Sequence, residues 1–211
     1  LPGGTTGHAV GGTLIAILTG SPAAGCMAVS IALLIQALLF GDGGILAFGA
    51  NCFNMAFILP YLGFFLYKLL LKKTGMRKLS AAIGSYIGIN AAAFCAAVEF
   101  GIQPLLFKNA EGQALYCPYP LSVSIPAMMI GHITLFGLAE IILTVVVLTF
   151  VEKVTPKALD AVPDKTAFKP LYILMAVLIV LTPLGLLATG TAWGEWGADE
   201  IAGLVSGGSQ L

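Results

Sequence analysis

The stretch of residues 43–67, GGILAFGANCFNMAFILPYLGFFLY, contains no Asp, Glu, Lys or Arg and decides the fold class. Residues 79–98, 112–139 and 170–194 share this property. Each window provides the roughly 20 residues with which an α-helix crosses a bilayer. Lipid cannot hydrogen-bond backbone groups, and the runs lack the alternation of barrel strands. The chain is therefore predicted to be an all-α, polytopic transmembrane helical bundle.

The composition of the 211 residues agrees with this fold class. Apolar residues make up 58% of the chain and charged residues only 9%, whereas a soluble domain contains about 25% charged residues. The ten basic and ten acidic side chains cancel, so no excess of positive charge favours nucleic acid. We expect the lipid bilayer as the environment and no nucleic acid partner.

We expect five full spans and one partial span. The partial span, residues 9–20, is too short to cross a membrane by itself. The full spans are residues 22–40, 45–67, 79–98, 122–151 and 170–191. Residues 1–151 would form the main membrane bundle, residues 152–169 a linker, and residues 170–211 an appended span with an outer tail.

The distribution of Lys and Arg predicts the orientation, because short loops rich in these residues stay in the cytoplasm. Residues 68–78 and 152–169 carry nine of the ten basic side chains. We therefore expect both loops in the cytoplasm. The alternate loops carry most of the acids, and the same parity places residues 1–8 and 41–44 outside.

An ionisable side chain inside hydrocarbon costs about 2.5–3.5 kcal/mol and is therefore a functional candidate. His8 ends a glycine-rich segment with Thr5 and Thr6, and a neutral imidazole suits Ni, Co, Cu or Zn. The alternative for His8 is a flexible start of a helix with an exposed side chain. Asp42 lies in a glycine turn between two spans, where a structural role is favoured.

His132 and Glu140 lie eight residues apart in one predicted span, about 12 Å along the helix axis and about 80° around it. They cannot share one ion directly. They could handle protons or support a site, or each could hydrogen-bond a neighbouring helix. Asn51 and Asn54 share one helix face, and their buried amides must face protein or a cavity.

The small and sulfur-containing residues favour structural roles. Gly84 and Gly88 form a G-x-x-x-G motif that lets helices approach closely, within the bundle or, second, at another subunit. Cys117 lies in a polar loop and could be exposed. The other three cysteines lie in apolar runs, where Cys behaves as a small hydrophobe, and we expect no disulfide framework. These three are Cys26, Cys52 and Cys95.

Three segments resemble one known family: PGGTTGH at residues 2–8, LLIQALLFGDGG at 33–44 and LAFGANCFNMA at 46–56. GLAE at 137–140 and GTAWGEWG at 190–197 extend the similarity. The chain resembles the CbiM/NikM family, the substrate-binding membrane components of energy-coupling-factor cobalt/nickel transporters. This resemblance covers nearly the whole chain.

The resemblance implies that residues 1–151 bind Co²⁺ or Ni²⁺ at the outer face of a prokaryotic cell membrane. The ion is the transported substrate, and we expect no permanent cofactor. The implied partners are a transmembrane coupling subunit and two cytoplasmic ATPase subunits. A small accessory membrane subunit is a further candidate. The chain itself would not be an enzyme, and it contains no P-loop motif.

The resemblance also assigns a metal ligand. His8 matches the internal histidine ligand of the family, whose other ligands come from an N-terminal Met-His start that this sequence lacks. We therefore expect about two family helices before residue 1. Side chains that would orient His8 or close the pocket are Thr5, Thr6, Asn51 and Asn54.

A second hypothesis comes from a different class of transporter. The chain could be a stand-alone, proton-coupled secondary transporter that uses His132 and Glu140 as a proton relay. The first hypothesis predicts uptake that needs partner ATPases and His8 and that survives Glu140→Gln. The second predicts uptake that needs the proton gradient and Glu140. An intramembrane enzyme is disfavoured because no nucleophile and base pairing is recognisable.

Overall fold

The computed structural model describes residues 7–40 and 43–154, and in these residues four helices are long and apolar enough to cross a membrane. We call the short first helix α1 (Gly12–Thr19) and the four long helices α2 to α5. Their bounds are Pro22–Leu39 for α2, Phe48–Thr74 for α3, Arg77–Leu106 for α4 and Leu121–Val154 for α5. The predicted all-α, polytopic membrane fold is confirmed.

Four of the five predicted full spans correspond to α2–α5, and the partial span corresponds to α1. The fifth predicted span, residues 170–191, lies outside the described residues, and so does the linker from residue 155 onward. Thr5, Thr6 and Asp42 also lie outside them. The division of the chain into a bundle, a linker and an appended span stays a prediction.

Helix α4 is longer than the sequence predicted. Its predicted span ends before Glu99, but the helix continues to Leu106, so Glu99 lies within the helix rather than in an outer loop. The prediction placed the boundary at the first charge. That charge is tolerated here because the carboxylate has a hydrogen-bond partner on α3, the side chain of Asn54.

Helix α4 packs against α3 and α5, and the closest approach to α3 involves glycine. A Cβ atom on Gly84 would lie 2.6 Å from the Gly63 carbonyl oxygen. A Cβ atom on Gly88 would lie 2.8 Å from the carbonyl oxygen of Leu59. Both distances are well below van der Waals contact, so the two backbones touch directly. The predicted packing role of the G-x-x-x-G motif within the bundle is confirmed.

The basic ends of three helices meet at one end of the bundle. Arg77 and Lys78, at the start of α4, lie 3.9 and 3.7 Å from the carboxylate of Glu152, near the end of α5. Lys72 and Lys73 lie in the last turn of α3, where positive charge suits the helix dipole. The described parts of the two loops that we predicted to be cytoplasmic therefore lie at the same end.

Three π-helical segments interrupt the long helices of the described region: Gln36–Phe40, Cys52–Ile58 and His132–Phe136. A π turn holds more residues than an α turn and is found frequently at functional sites. The second of these segments contains Asn54 and the third begins at His132. Two of the three segments therefore carry side chains that the sequence analysis selected.

Candidate functional site

The segment of residues 7–11, which carries His8, lies against the middle of α5. Gly7 sits directly on the ring of Phe136, so that a Cβ atom at Gly7 would overlap the ring. His8 is half-buried, and its imidazole is close enough to His132 for an electrostatic interaction. The sequence analysis did not predict this interaction. The fold thus brings both histidines of the chain to one place.

Glu140 holds the end of this segment. Its carboxylate is fully buried and accepts a hydrogen bond of 2.7 Å from the Val10 N–H. The Gly11 N–H donates to both carboxylate oxygens at 3.1 Å. Gly11 is the N-cap of α1 and has a positive φ of 73°, a conformation that favours glycine. The carboxylate therefore satisfies two backbone donors where the coil turns into α1.

His132 is nearly buried, with 6% of its surface exposed, and begins the π-helical segment of α5. Its Nδ1 atom lies 2.9 Å from the Met128 carbonyl oxygen. A carbonyl oxygen only accepts hydrogen bonds, so this contact assigns the proton to Nδ1 and leaves the lone pair of a neutral ring on Nε2. The ring also packs against Phe136, with centroids 5.1 Å apart.

One face of α5 contacts the whole segment. His132, Phe136 and Glu140 follow each other at four-residue steps. Phe136 contacts Gly7 and Glu140 bonds to the Val10–Gly11 backbone, while His132 interacts electrostatically with His8. A regular α-helix would turn His132 and Glu140 about 80° apart. The π turn between them holds an extra residue and brings the two side chains toward the same face. They contact different parts of the segment, as their spacing along the axis predicts.

Asn51 and Asn54 both face protein, as predicted, but they hold different parts of it. The Asn51 side-chain amide donates to the Gly43 carbonyl oxygen at 3.0 Å and so ties the turn after α2 to α3. The Asn54 amide donates to a Glu99 carboxylate oxygen at 2.7 Å and ties α3 to α4. The role of these two side chains in a pocket around His8 stays a prediction.

Glu99 is the polar residue that sequence analysis missed. Its charge suggested a loop, but Asn54, which is only 4% exposed, uses it as a hydrogen-bond partner inside the bundle. A buried amide predicts a polar partner on a neighbouring helix. The predicted burial of Asn54 therefore indicated that such a partner exists, but it did not identify Glu99 as the residue.

The structure agrees with a packing role for the cysteines in the apolar runs and corrects the interpretation of Cys117. Cys117 is only 2% exposed, so the expected exposure of this loop residue is wrong. Its N–H donates to the Gln103 side-chain oxygen at 3.1 Å, which folds the loop back onto the end of α4. Cys26 is buried, Cys52 and Cys95 are half-buried, and all four thiols are free. Within residues 7–40 and 43–154, no three His, Cys, Asp or Glu side chains are grouped as a metal site.

The proteins that this chain resembles include two fused nickel transport proteins and two crystal structures of transporters. The "Probable fused nickel transport protein LarMN" of Lactiplantibacillus plantarum is 52% identical over 95% of this chain. The "Fused nickel transport protein NikMN" of Rhodobacter capsulatus is 48% identical, again over 95% of this chain. The chain spans 61% and 59% of the length of these two relatives.

The similar crystal structures are both described as transition metal transporters. One, a truncated transporter, has a TM-score of 0.70 and 54% sequence identity, covering 72% of this chain and 71% of its own. The other has a TM-score of 0.70 and 49% identity, covering 82% and 73%. The model of the CbiM family, described as the cobalt uptake substrate-specific transmembrane region, matches residues 1–158. The chain therefore belongs to the CbiM family of multi-pass helical membrane proteins.

Proposed function

We propose that this chain captures Co²⁺ or Ni²⁺ at the extracytoplasmic face of a prokaryotic cell membrane, for ATP-driven import by an energy-coupling-factor transporter. His8 is the metal ligand that this chain supplies. The chain binds the ion and is not itself an ATPase. ATP hydrolysis belongs to two cytoplasmic ATPase subunits, which act through a transmembrane coupling subunit, and a small accessory membrane subunit completes the expected partners.

The observation that carries this proposal is the way the His8 segment is held. A flexible start of a helix, which was the alternative for His8, would leave the segment free of tertiary contacts. Instead Gly7 packs on Phe136, and the Val10 and Gly11 N–H groups bond to Glu140. A half-buried imidazole on a fixed backbone suits metal binding, because the geometry of a site selects among ions that share a ligand type.

The family and the relatives support the choice of ion. The matching family model is described as a cobalt uptake region, and the two relatives described above are named as nickel transport proteins. Nitrogen ligands suit both ions, and also Cu²⁺ and Zn²⁺. Four side chains are proposed to orient His8 or to close the pocket: Thr5, Thr6, Asn51 and Asn54.

The proton-coupled alternative receives less support from the site. A relay needs side chains that can take up and release a proton along a path. The Glu140 carboxylate instead serves two backbone N–H groups, and His132 Nδ1 is bonded to a carbonyl of its own helix. Both side chains are thus used to hold backbone, which favours a supporting role for the pair.

The test measures uptake of radioactive Ni²⁺ and Co²⁺ by cells that express the full-length transporter with its partner subunits. We expect His8→Ala to reduce uptake at least about tenfold, the size typical of a lost metal-site interaction. Glu111→Ala, in the exposed loop between α4 and α5, is the matched control and retains uptake. An ATPase subunit with an inactivated P-loop also abolishes uptake.

Two results contradict the proposal. Undiminished uptake by His8→Ala would remove the metal-ligand assignment. Uptake that persists with inactive ATPase subunits, but stops when the proton gradient is collapsed, would establish the secondary transporter instead.

A further inference from the structure

We infer that Glu140 is the positioning residue for metal binding, because its carboxylate holds the backbone that presents His8. This inference rests on the proposed function and adds a residue to it. It replaces the expectation from sequence that uptake survives Glu140→Gln, because the Glu140 carboxylate bonds to the backbone next to His8. Glu140 does not touch the metal. It acts through the Val10 and Gly11 N–H groups, which belong to the same short segment as the ligand.

The distance between the anchor and the ligand is short. Val10 follows His8 by two residues, and two residues of chain span at most about 7 Å. The segment is also held on both sides of His8, by the Phe136 ring at Gly7 and by Glu140 at Val10. A displacement at Glu140 must therefore reach the His8 backbone, because little slack separates the two points.

A carboxylate suits this position better than any neutral side chain. Both of its oxygens accept hydrogen bonds, and the Gly11 N–H lies 3.1 Å from each of them. Hydrogen bonds to an ionised acceptor are roughly twice as strong as neutral ones. The site also lies at the N-terminal end of α1, where a helix favours negative charge. A Gln side chain would direct an amide N–H₂ group at backbone donors.

The charge has a second consequence. An imidazole ligand is neutral, so His8 does not compensate the positive charge of a divalent ion that it binds. Charges attract over longer distances in protein than in water, because the effective dielectric constant is lower. The fully buried Glu140 carboxylate, which is bonded to the Val10 N–H two residues after His8, offsets part of this charge. Removal of its charge therefore weakens metal binding even where the shape of the side chain is kept.

The test titrates the purified full-length protein with Co²⁺ and follows bound metal together with its ligand-field absorption bands. The variants are Glu140→Gln, which removes the charge, and Glu140→Asp, which keeps it on a shorter side chain. The matched control is Glu152→Gln, the same substitution twelve residues further along α5, at an ion pair that is partly exposed. Such exposed pairs contribute little to stability.

We expect Glu140→Gln to weaken Co²⁺ binding about 10–100-fold and to shift the absorption bands, as loss of a partner that orients a ligand typically does. Glu140→Asp should recover part of the affinity and the bands of the unsubstituted protein. Glu152→Gln should match the unsubstituted protein. A side chain that only stabilised the fold would lower the melting temperature without shifting the bands below it.

The outcomes separate this inference from the proposed function. If His8→Ala abolishes binding while Glu140→Gln binds with unchanged affinity and bands, the positioning role is wrong and the metal-capture function stands. If the unsubstituted protein binds no Co²⁺, or His8→Ala binds it normally, both are wrong.

A measurement on the unsubstituted protein covers the case in which Glu140→Gln does not fold. Hydrogen exchange of the Val10 and Gly11 amides should slow when Co²⁺ binds, because the anchor and the ligand are coupled. Exchange that is unchanged by Co²⁺ would overturn the inference.

Discussion

Asn54 and Glu99 form a hydrogen bond of 2.7 Å between α3 and α4, inside the part of the bundle that both helices bury. The bond accounts for a carboxylate within α4 and for an amide that is only 4% exposed. It also explains why the helix continues beyond the first charge. The Asn54 side-chain nitrogen and the Glu99 carboxylate are thus partnered across the two helices, whereas the buried Asn54 side-chain oxygen has no partner among the described residues.

The first prediction tests this pair by its effect on stability. Asn54→Ala should lower the free energy of unfolding by about 1–3 kcal/mol, because it leaves the Glu99 carboxylate without its amide donor. Glu99→Gln should cost less, since its amide oxygen can still accept from Asn54. Melting in detergent of both single variants and the double variant measures the coupling. Strictly additive effects of the two substitutions would show that the bond contributes nothing.

The second prediction concerns the contact of α3 with α4. Gly88→Val should lower the free energy of unfolding by about 1–3 kcal/mol, because its Cβ atom would lie 2.8 Å from the Leu59 carbonyl oxygen. The control is Ile87→Val, at the neighbouring exposed position. The measurement is the melting temperature in detergent. Equal melting temperatures for the two variants would contradict the close approach of the backbones.

The third prediction concerns the placement of His8 and assumes the proposed metal site. Gly7→Ala should weaken Co²⁺ binding several-fold, because its Cβ atom would overlap the Phe136 ring and displace the segment. Phe136→Ala in the same chain removes the obstacle and should restore much of the affinity. Titration of the two single variants and the double variant with Co²⁺ provides the measurement. A double variant that binds no better than Gly7→Ala would show that the ring is not the obstacle.

The fourth prediction concerns orientation. A thiol reagent that cannot cross the membrane should label Glu111→Cys in intact cells, because the loop between α4 and α5 is predicted to lie outside. It should label Lys73→Cys, at the end of α3, only after permeabilisation. The native Cys117 gives little background, since it is only 2% exposed. The reverse labelling pattern would invert the orientation that the basic loops predict.

Much of the fold could be predicted because the deciding forces act locally along the chain. A charge-free run of about 20 residues must cross the bilayer as a helix, since its backbone has no other hydrogen-bond partners there. The glycines of α4 likewise indicate close packing wherever they fall on a helix. The end of helix α4 could not be predicted in this way, because the helix at Glu99 depends on a hydrogen bond to Asn54, 45 residues earlier.

The sequence by itself therefore determined the membrane class, the helices of the described region and the family resemblance, which in turn selected His8 as the candidate ligand. Only the tertiary structure decided what surrounds the His8 segment: that Phe136 covers Gly7, that Glu140 holds Val10 across 130 residues, and that His8 and His132 interact electrostatically. The physical reason is that hydrophobicity is a property of each segment alone. A buried hydrogen bond depends on two segments of the chain. The sequence pattern of one segment does not identify the other segment.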